Sequence, residues 1–415
     1  MPGGLPLSAF TAMLSANIRS ATALEEQVQH GEHQSQRRVA RPPSQPFRRR
    51  ALHSVAVLDN YLYLEGGEIS SFVNGQMMSD QSSLTVNNTL SLPLDKSWEL
   101  SNAPYTTIPD HEPPPMDMFA LWADENDRVL YRYGGEKAFN GNVTSTENRH
   151  LWKFSPDGAG VGTWSIQAAL DQQFFDGLRQ GTRAASVFCE GLGIYVGGFG
   201  DRSTDIDFQD VTWPYSVTIP GMITFTTGQA VCVTGFGPSP MVMMLGGWSA
   251  DFQTIAIYDQ VSKRWLQQQA SGSVPRSRGN YCAVAVRGPQ GTVEIFIHGG
   301  NSDTSSTMSD TYALSLPGFT WFKVDVSAPP RMDHACAVIG KKQMLISGGI
   351  PVQWEWKPDD EWIGAHKILD LSELKLTDRY DAGAAAYEPA KVIKDWYYKG
   401  LDVCEGLCSN LCPSV

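Results

Sequence analysis

The chain has 415 residues, and 32 Lys+Arg against 44 Asp+Glu give a formal net charge of -12. Residues 1–50 hold seven Arg and three Glu, a net of +4, which leaves -16 on the rest and argues against a nucleic-acid partner, whose phosphates need cations. No apolar run approaches the ~20 residues of a membrane span, and Leu5–Leu14 has no basic residue before it as a secretory leader would. A cytoplasmic chain is expected.

In chain order, residues 1–47 read as a basic leader, and the Arg37–Arg50 cluster as a solvated, disordered arm. From there a pattern repeats six times: an apolar run that ends in Gly-Gly. The first Gly falls at 66, 134, 197, 246, 299 and 348. Upstream of each pair lies a second apolar run, in several units opened by Arg, as in Arg50–Val57 and Arg331–Val338. Arg183, and Arg276 or Arg278, are assigned the same opening role. Downstream comes a third run, such as Ile255–Asp259, and then a segment with an aromatic: Trp98, Trp164, Phe225, Trp265, Trp321 and Tyr380. Four short strands with turn residues between them make one antiparallel sheet. A Gly pair at a strand end permits positive φ and close approach, and the large aromatic fills the wedge between neighbouring sheets. A lone sheet of this kind cannot bury both faces, so the units stack, and radial stacking closes a ring.

These residues resemble the kelch repeat, with its Arg opening, Gly-Gly strand end and later Trp. The wider pattern, including Trp396-Tyr397-Tyr398, is similar to fungal kelch proteins related in fold to galactose oxidase. The resemblance implies an all-β chain: a single six-bladed β-propeller over residues 48–386. Residues 387–415 are expected to hold a short helix over Glu388–Lys399, ended by Gly400, and a tail with Cys404, Cys408 and Cys412.

The distance from the Gly pair to the later aromatic is 32, 30, 28, 19, 22 and 32 residues in units one to six. The extra length belongs to loops that leave one end of the ring, the end that also receives the Arg-bearing turns. Arg50, Arg183, Arg278 and Arg331 are therefore candidate binding residues, together with Glu68, Glu136, Trp354 and Trp356 from the long loops. An Arg there either ties units together through a carbonyl or acid, or reads a carboxylate on a ligand. The expected partner is a protein or peptide, an acidic one unless Asp201, Asp205, Asp207 and Glu361 neutralise the Arg. The alternative is an enzyme or enzyme accessory with a small-molecule pocket at the axis, which the resemblance to fungal proteins sets in specialised (secondary) metabolism.

No cofactor or metal is expected. Copper radical chemistry would need a Tyr cross-linked to a Cys, but Tyr281 and Cys282 are adjacent and point to opposite faces of a strand. His53 and His334 share one repeat position, which the repeat explains without a metal. The acidic run Asp205–Asp210 lacks the Gly and closing Glu of a calcium loop. Cys189, Cys232, Cys282 and Cys336 lie in the innermost strands of four units and are expected as buried, unpaired thiols. The sequons Asn87-Asn88-Thr89 and Asn142-Val143-Thr144 matter only on a secretory route.

Overall fold

The computed structural model describes residues 49–407, apart from 71, 74–75, 78–82, 109–111, 139–148, 170, 179, 206–225, 236–238, 248–249, 303–305, 353–354 and 357–359. The expected leader, Asn142, Phe225, Trp354, Cys408 and Cys412 lie outside the described residues.

Each Gly-Gly pair ends the second strand of a unit with two consecutive positive-φ residues, from Gly66 and Gly67 to Gly348 and Gly349. A side chain has no room there. A Cβ on Gly67 would strike the Ala51 carbonyl, and one on Gly348 the Arg50 carbonyl. The Gly pairs thus let each unit press against the turn that opens an innermost strand.

The innermost strands are Ser54–Leu58, Ala120–Asp124, Ala185–Cys189, Gln229–Val233, Cys282–Arg287 and Ala335–Ile339. Each pairs antiparallel with the strand that precedes its Gly pair. Neighbouring innermost strands touch in sequence order, and the sixth touches the first, so six units stand around one axis. Units one, two, four, five and six each show four strands in chain order from the axis outwards, and unit five gains a parallel addition, Ser271–Gly272. This is the kelch-type, all-β architecture that the repeat implied.

A circuit of backbone hydrogen bonds fixes the ring at the Gly-Gly end. Met118 N donates to Leu52 O at 2.9 Å, Arg183 N to Met118 O at 3.4 Å and Thr227 N to Arg183 O at 2.9 Å. Asn280 N then donates to Thr227 O at 3.1 Å, Asp333 N to Asn280 O at 3.0 Å, and Leu52 N to Asp333 O at 2.9 Å. All six residues have φ between 53° and 65°. Such a conformation is costly for residues other than Gly, and the closed circuit overcomes that cost.

Among the described residues, backbone bonds and a short strand pairing join unit six to unit one. Arg50 O accepts from Gly349 N at 2.6 Å, and Arg379–Tyr380 pairs with Trp98–Glu99. Trp98 therefore stacks on Tyr380, with ring centroids 4.9 Å apart, instead of sitting in the fourth strand of unit one, which is Thr106–Ile108. Trp164 and Trp321 do fill wedges, donating to Thr89 Oγ1 and Phe252 O of the preceding units at 2.9 and 2.8 Å.

The four cysteines of the innermost strands are not free thiols. Cys189 is bonded to Cys232 and Cys282 to Cys336, with Cα separations of 5.4 and 5.7 Å. Innermost strands converge towards the axis, and that brings facing positions of adjacent units inside the 4.4–6.8 Å range of a disulfide. The C-terminal helix spans Lys391–Leu407, running through Gly400 instead of ending there.

Candidate functional site

The circuit residues and the residues flanking them form the mouth of the axis. Arg50, Arg278 and Arg331 occupy equivalent places, two residues before the circuit residues Leu52, Asn280 and Asp333. Each donates to the carbonyl of the first Gly of its own unit: Arg50 to Gly66 at 2.7 Å, Arg278 to Gly299 at 3.1 Å, Arg331 to Gly348 at 2.5 Å. Arg278 also meets Asp310 at 2.5 Å and Arg331 meets Asp360 at 3.2 Å. All three are buried, and the guanidinium of Arg331 lies 3.4 Å from the Trp362 ring centroid. Burial lowers the pKa of Arg50 and of Arg331 to about 10, against the pull of nearby acids. These three side chains tie a strand end to its opening turn.

Arg183 is different, and its assignment as an opening Arg is corrected by the structure. It sits two positions further on, in the circuit itself, where other units carry Leu, Met, Thr, Asn or Asp. Gly181 holds the opening place in unit three. The side chain of Arg183 consequently reaches across the mouth. It donates to Glu136 Oε1 at 2.9 Å, Asp333 Oδ1 at 3.2 Å and Asn280 Oδ1 at 3.3 Å, joining four units. Burial works against its charge, but Glu136 and Asp333 outweigh burial and raise its pKa.

Beside it stand more carboxyl groups than one cation balances. Asp117 immediately precedes the circuit residue Met118 and pairs by strand register with Glu136. Its carboxyl is buried near Glu68, whose own carboxylate accepts from Ser83 Oγ. Burial, reinforced by Glu68 and Glu136, pushes the Asp117 pKa well above the ordinary carboxylate range, with Arg183 opposing. Asp333 is raised as well, by burial, with Arg183 opposing.

Below the circuit lies a cavity of about 230 Å³, lined among others by His53, Arg183, Gln229, Asn280, Asp333 and His334. His334 Nε2 meets the His298 carbonyl at 3.1 Å and so must carry the proton. His53 Nε2 meets Ser347 Oγ at 2.7 Å across the seam between units six and one. Burial holds both rings well below the ordinary histidine pKa, and both are neutral. Tyr281 donates to Leu245 O at 2.5 Å, and Cys282 is bound in its disulfide, so neither takes the copper-oxidase arrangement. Among the described residues no group of His, Cys, Asp and Glu is placed to hold a metal ion. Asp205, from the acidic run, is buried and paired with Arg149.

Of the sequence-derived candidates, the structure brings Glu68, Glu136 and Arg183 together at the mouth and turns Arg50, Arg278 and Arg331 inwards. Trp356 is not exposed: it packs with Ala51, Leu52, Met332 and Ile350, lidding the junction of units six and one. Asp117, Asn280 and Asp333 were missed. The signal for the last two was present, because Asn and Asp are the residue types most tolerant of positive φ.

The chain is 26% identical to a kelch repeat-containing protein of Arthroderma benhamiae, in a match covering 85% of this chain and 60% of that protein. The repeats and the all-β ring are thus similar to those of a kelch repeat-containing protein. The chain is also 24% identical to acyl-CoA-binding domain-containing protein 5 of Arabidopsis thaliana, over 63% of this chain and 41% of that protein. It therefore spans less than two thirds of the length of either relative. No protein-family model matches the chain. No helix among the described residues is long and apolar enough to cross a membrane.

Proposed function

We propose that this kelch chain is a non-catalytic recognition protein that binds a protein or peptide segment at the long-loop end of its axis. The observation that carries the reading is the mouth itself, where Arg183 is held by side chains from three other units amid Glu68, Asp117 and Glu136. Such a preorganised polar surface costs little to order on binding. Its charge balance changes the expected partner. Arg278 and Arg331 are neutralised by Asp310 and Asp360, so the mouth favours a segment offering a Lys, Arg or amide donor over an acidic one.

The second reading, a small-molecule site of an enzyme or accessory, has the axial cavity as its support. At about 230 Å³ and with a largely polar lining, that cavity falls below the ~300 Å³ at which small-ligand pockets begin. The peptide reading is preferred on that ground.

Selection of a random displayed peptide library on the full chain tests it. The expected result is a convergent family of peptides rich in basic or amide residues, with binding weakened at least tenfold by Glu136→Ala. Failure of the library to converge, or convergence on peptides indifferent to Glu136→Ala, overturns it.

A further inference from the structure

Two features point to one modification. The first is the state of the cysteines. Cys189–Cys232 joins units three and four, and Cys282–Cys336 joins units five and six, so four innermost strands are cross-linked in pairs. Closing each bridge removes two electrons and two protons from two thiols, which pass to a disulfide-carrying oxidoreductase. Such oxidants serve the secretory lumen and extracellular space, whereas a reducing cytosol keeps thiols open. The oxidised ring does not fit the cytoplasmic location expected from the sequence.

The second feature is the sequon Asn87-Asn88-Thr89. Asn87 and Asn88 are partly exposed, in the turn that enters the strand Thr89–Pro93 of unit one. Thr89, in contrast, is fully buried. Its hydroxyl donates to Glu65 Oε2 at 2.7 Å and accepts from Trp164 Nε1 of unit two at 2.9 Å. An enzyme that must engage the Thr hydroxyl reaches it only before unit two docks on unit one. In the folded chain Asn87 remains partly exposed, which is compatible with an attached group outside the core.

We propose that Asn87 carries an N-linked glycan, added while the chain enters an oxidising compartment and before unit two closes over Thr89. In this step Asn87 Nδ2 attacks the anomeric carbon of a lipid-pyrophosphate-linked oligosaccharide. The bond from that carbon to the pyrophosphate oxygen breaks, the lipid pyrophosphate leaves, and the amide gives up one proton to the transferase base.

The test uses the full chain, immunopurified from the cells that make it, with thiols alkylated at lysis. Peptide N-glycosidase digestion in ¹⁸O-water should convert Asn87 to ¹⁸O-labelled Asp. Cys189, Cys232, Cys282 and Cys336 should become alkylatable only after reduction. The Asn87→Gln chain should lose the glycan mass at this position, and Thr89→Ser should keep it. Recovery of Asn87 unmodified overturns the assignment, and so does alkylation of all four cysteines before reduction.

Discussion

Arg183 and Arg331 stand two repeat positions apart, and that offset decides what each guanidinium does. Arg331 is sealed between Gly348 O, Asp360 and the Trp362 ring. Arg331→Ala should therefore cost about 3 kcal/mol in denaturant melts, because it leaves a buried acid and carbonyl short of a donor. Asp117 gives a sharper test by pH. Its folded pKa is raised, so the stability it contributes is present below the ordinary carboxylate pKa and is lost as pH rises through the folded value. Asp117→Asn should match the parent in acid and exceed it in melting temperature at pH 8. An unchanged gap across pH would show that this carboxyl is not held neutral. The Gly pairs and aromatics were readable in the sequence because their chemistry is specific. The circuit was not, because Leu52, Met118 and Thr227 announce no positive φ, and Arg183 matched the opening Arg in type while occupying another place.

At the scale of elements, the disulfides and the C-terminal helix each carry a stability term. The disulfides close segments with sequence separations of 43 and 54 residues, and loop-closure entropy assigns about 4 kcal/mol to each bridge. Reduction should lower the melting temperature, and the double variant Cys189→Ser with Cys232→Ser should reproduce roughly half of the loss. The bridges were not foreseen because the sequence places each Cys in a strand but does not tell how closely innermost strands approach at a given height. The helix Lys391–Leu407 packs Ile393 and Tyr397 against unit five, where Tyr397 Oη lies 3.1 Å from Ser315 Oγ. Next to that contact Glu294 accepts from Ser315 Oγ at 2.8 Å, and burial pushes its pKa up to about 7. Raised above the ordinary value of 4.5, it stabilises below that value and loses the contribution as pH passes about 7. Exchange protection of the helix, after correction for the intrinsic rate, should fall between pH 6 and pH 8, and Glu294→Gln should abolish that fall. The helix itself was legible from Pro389 near its start. Its continuation through Gly400 was not, since Gly costs a helix only ~1 kcal/mol and ends it only when a left-handed cap forms.

At the scale of the molecule, the seam between units six and one has no disulfide between its innermost strands, unlike the seams between units three and four and between units five and six. It is held by Gly349 N to Arg50 O, His53 to Ser347, and Tyr380 to Leu94. His53 and His366 both lie at this seam, held below the ordinary histidine pKa by burial and then by Arg50; for His366 the value is about 3. The stability they contribute is present above pH 6.5 and falls as pH drops towards the folded values. Acid should therefore open this seam first. Protection of Ser54–Leu58, which carries no staple, should fall below pH 5 before that of Gln229–Val233, which holds Cys232 of a disulfide. The ring plan was legible from six spaced Gly pairs, while its closure was not, because Trp98 and Tyr380 looked like ordinary fourth-strand aromatics. The central claim concerns which end of this ring binds. Hydrogen–deuterium exchange of the full chain with and without a library-selected peptide measures that directly. Protection is expected to concentrate in residues 49–53, 66–70, 134–138 and 181–184, around the mouth. Protection confined to the outer strands Arg264–Gln269 and Gly162–Gln167, or to the C-terminal helix, would contradict it.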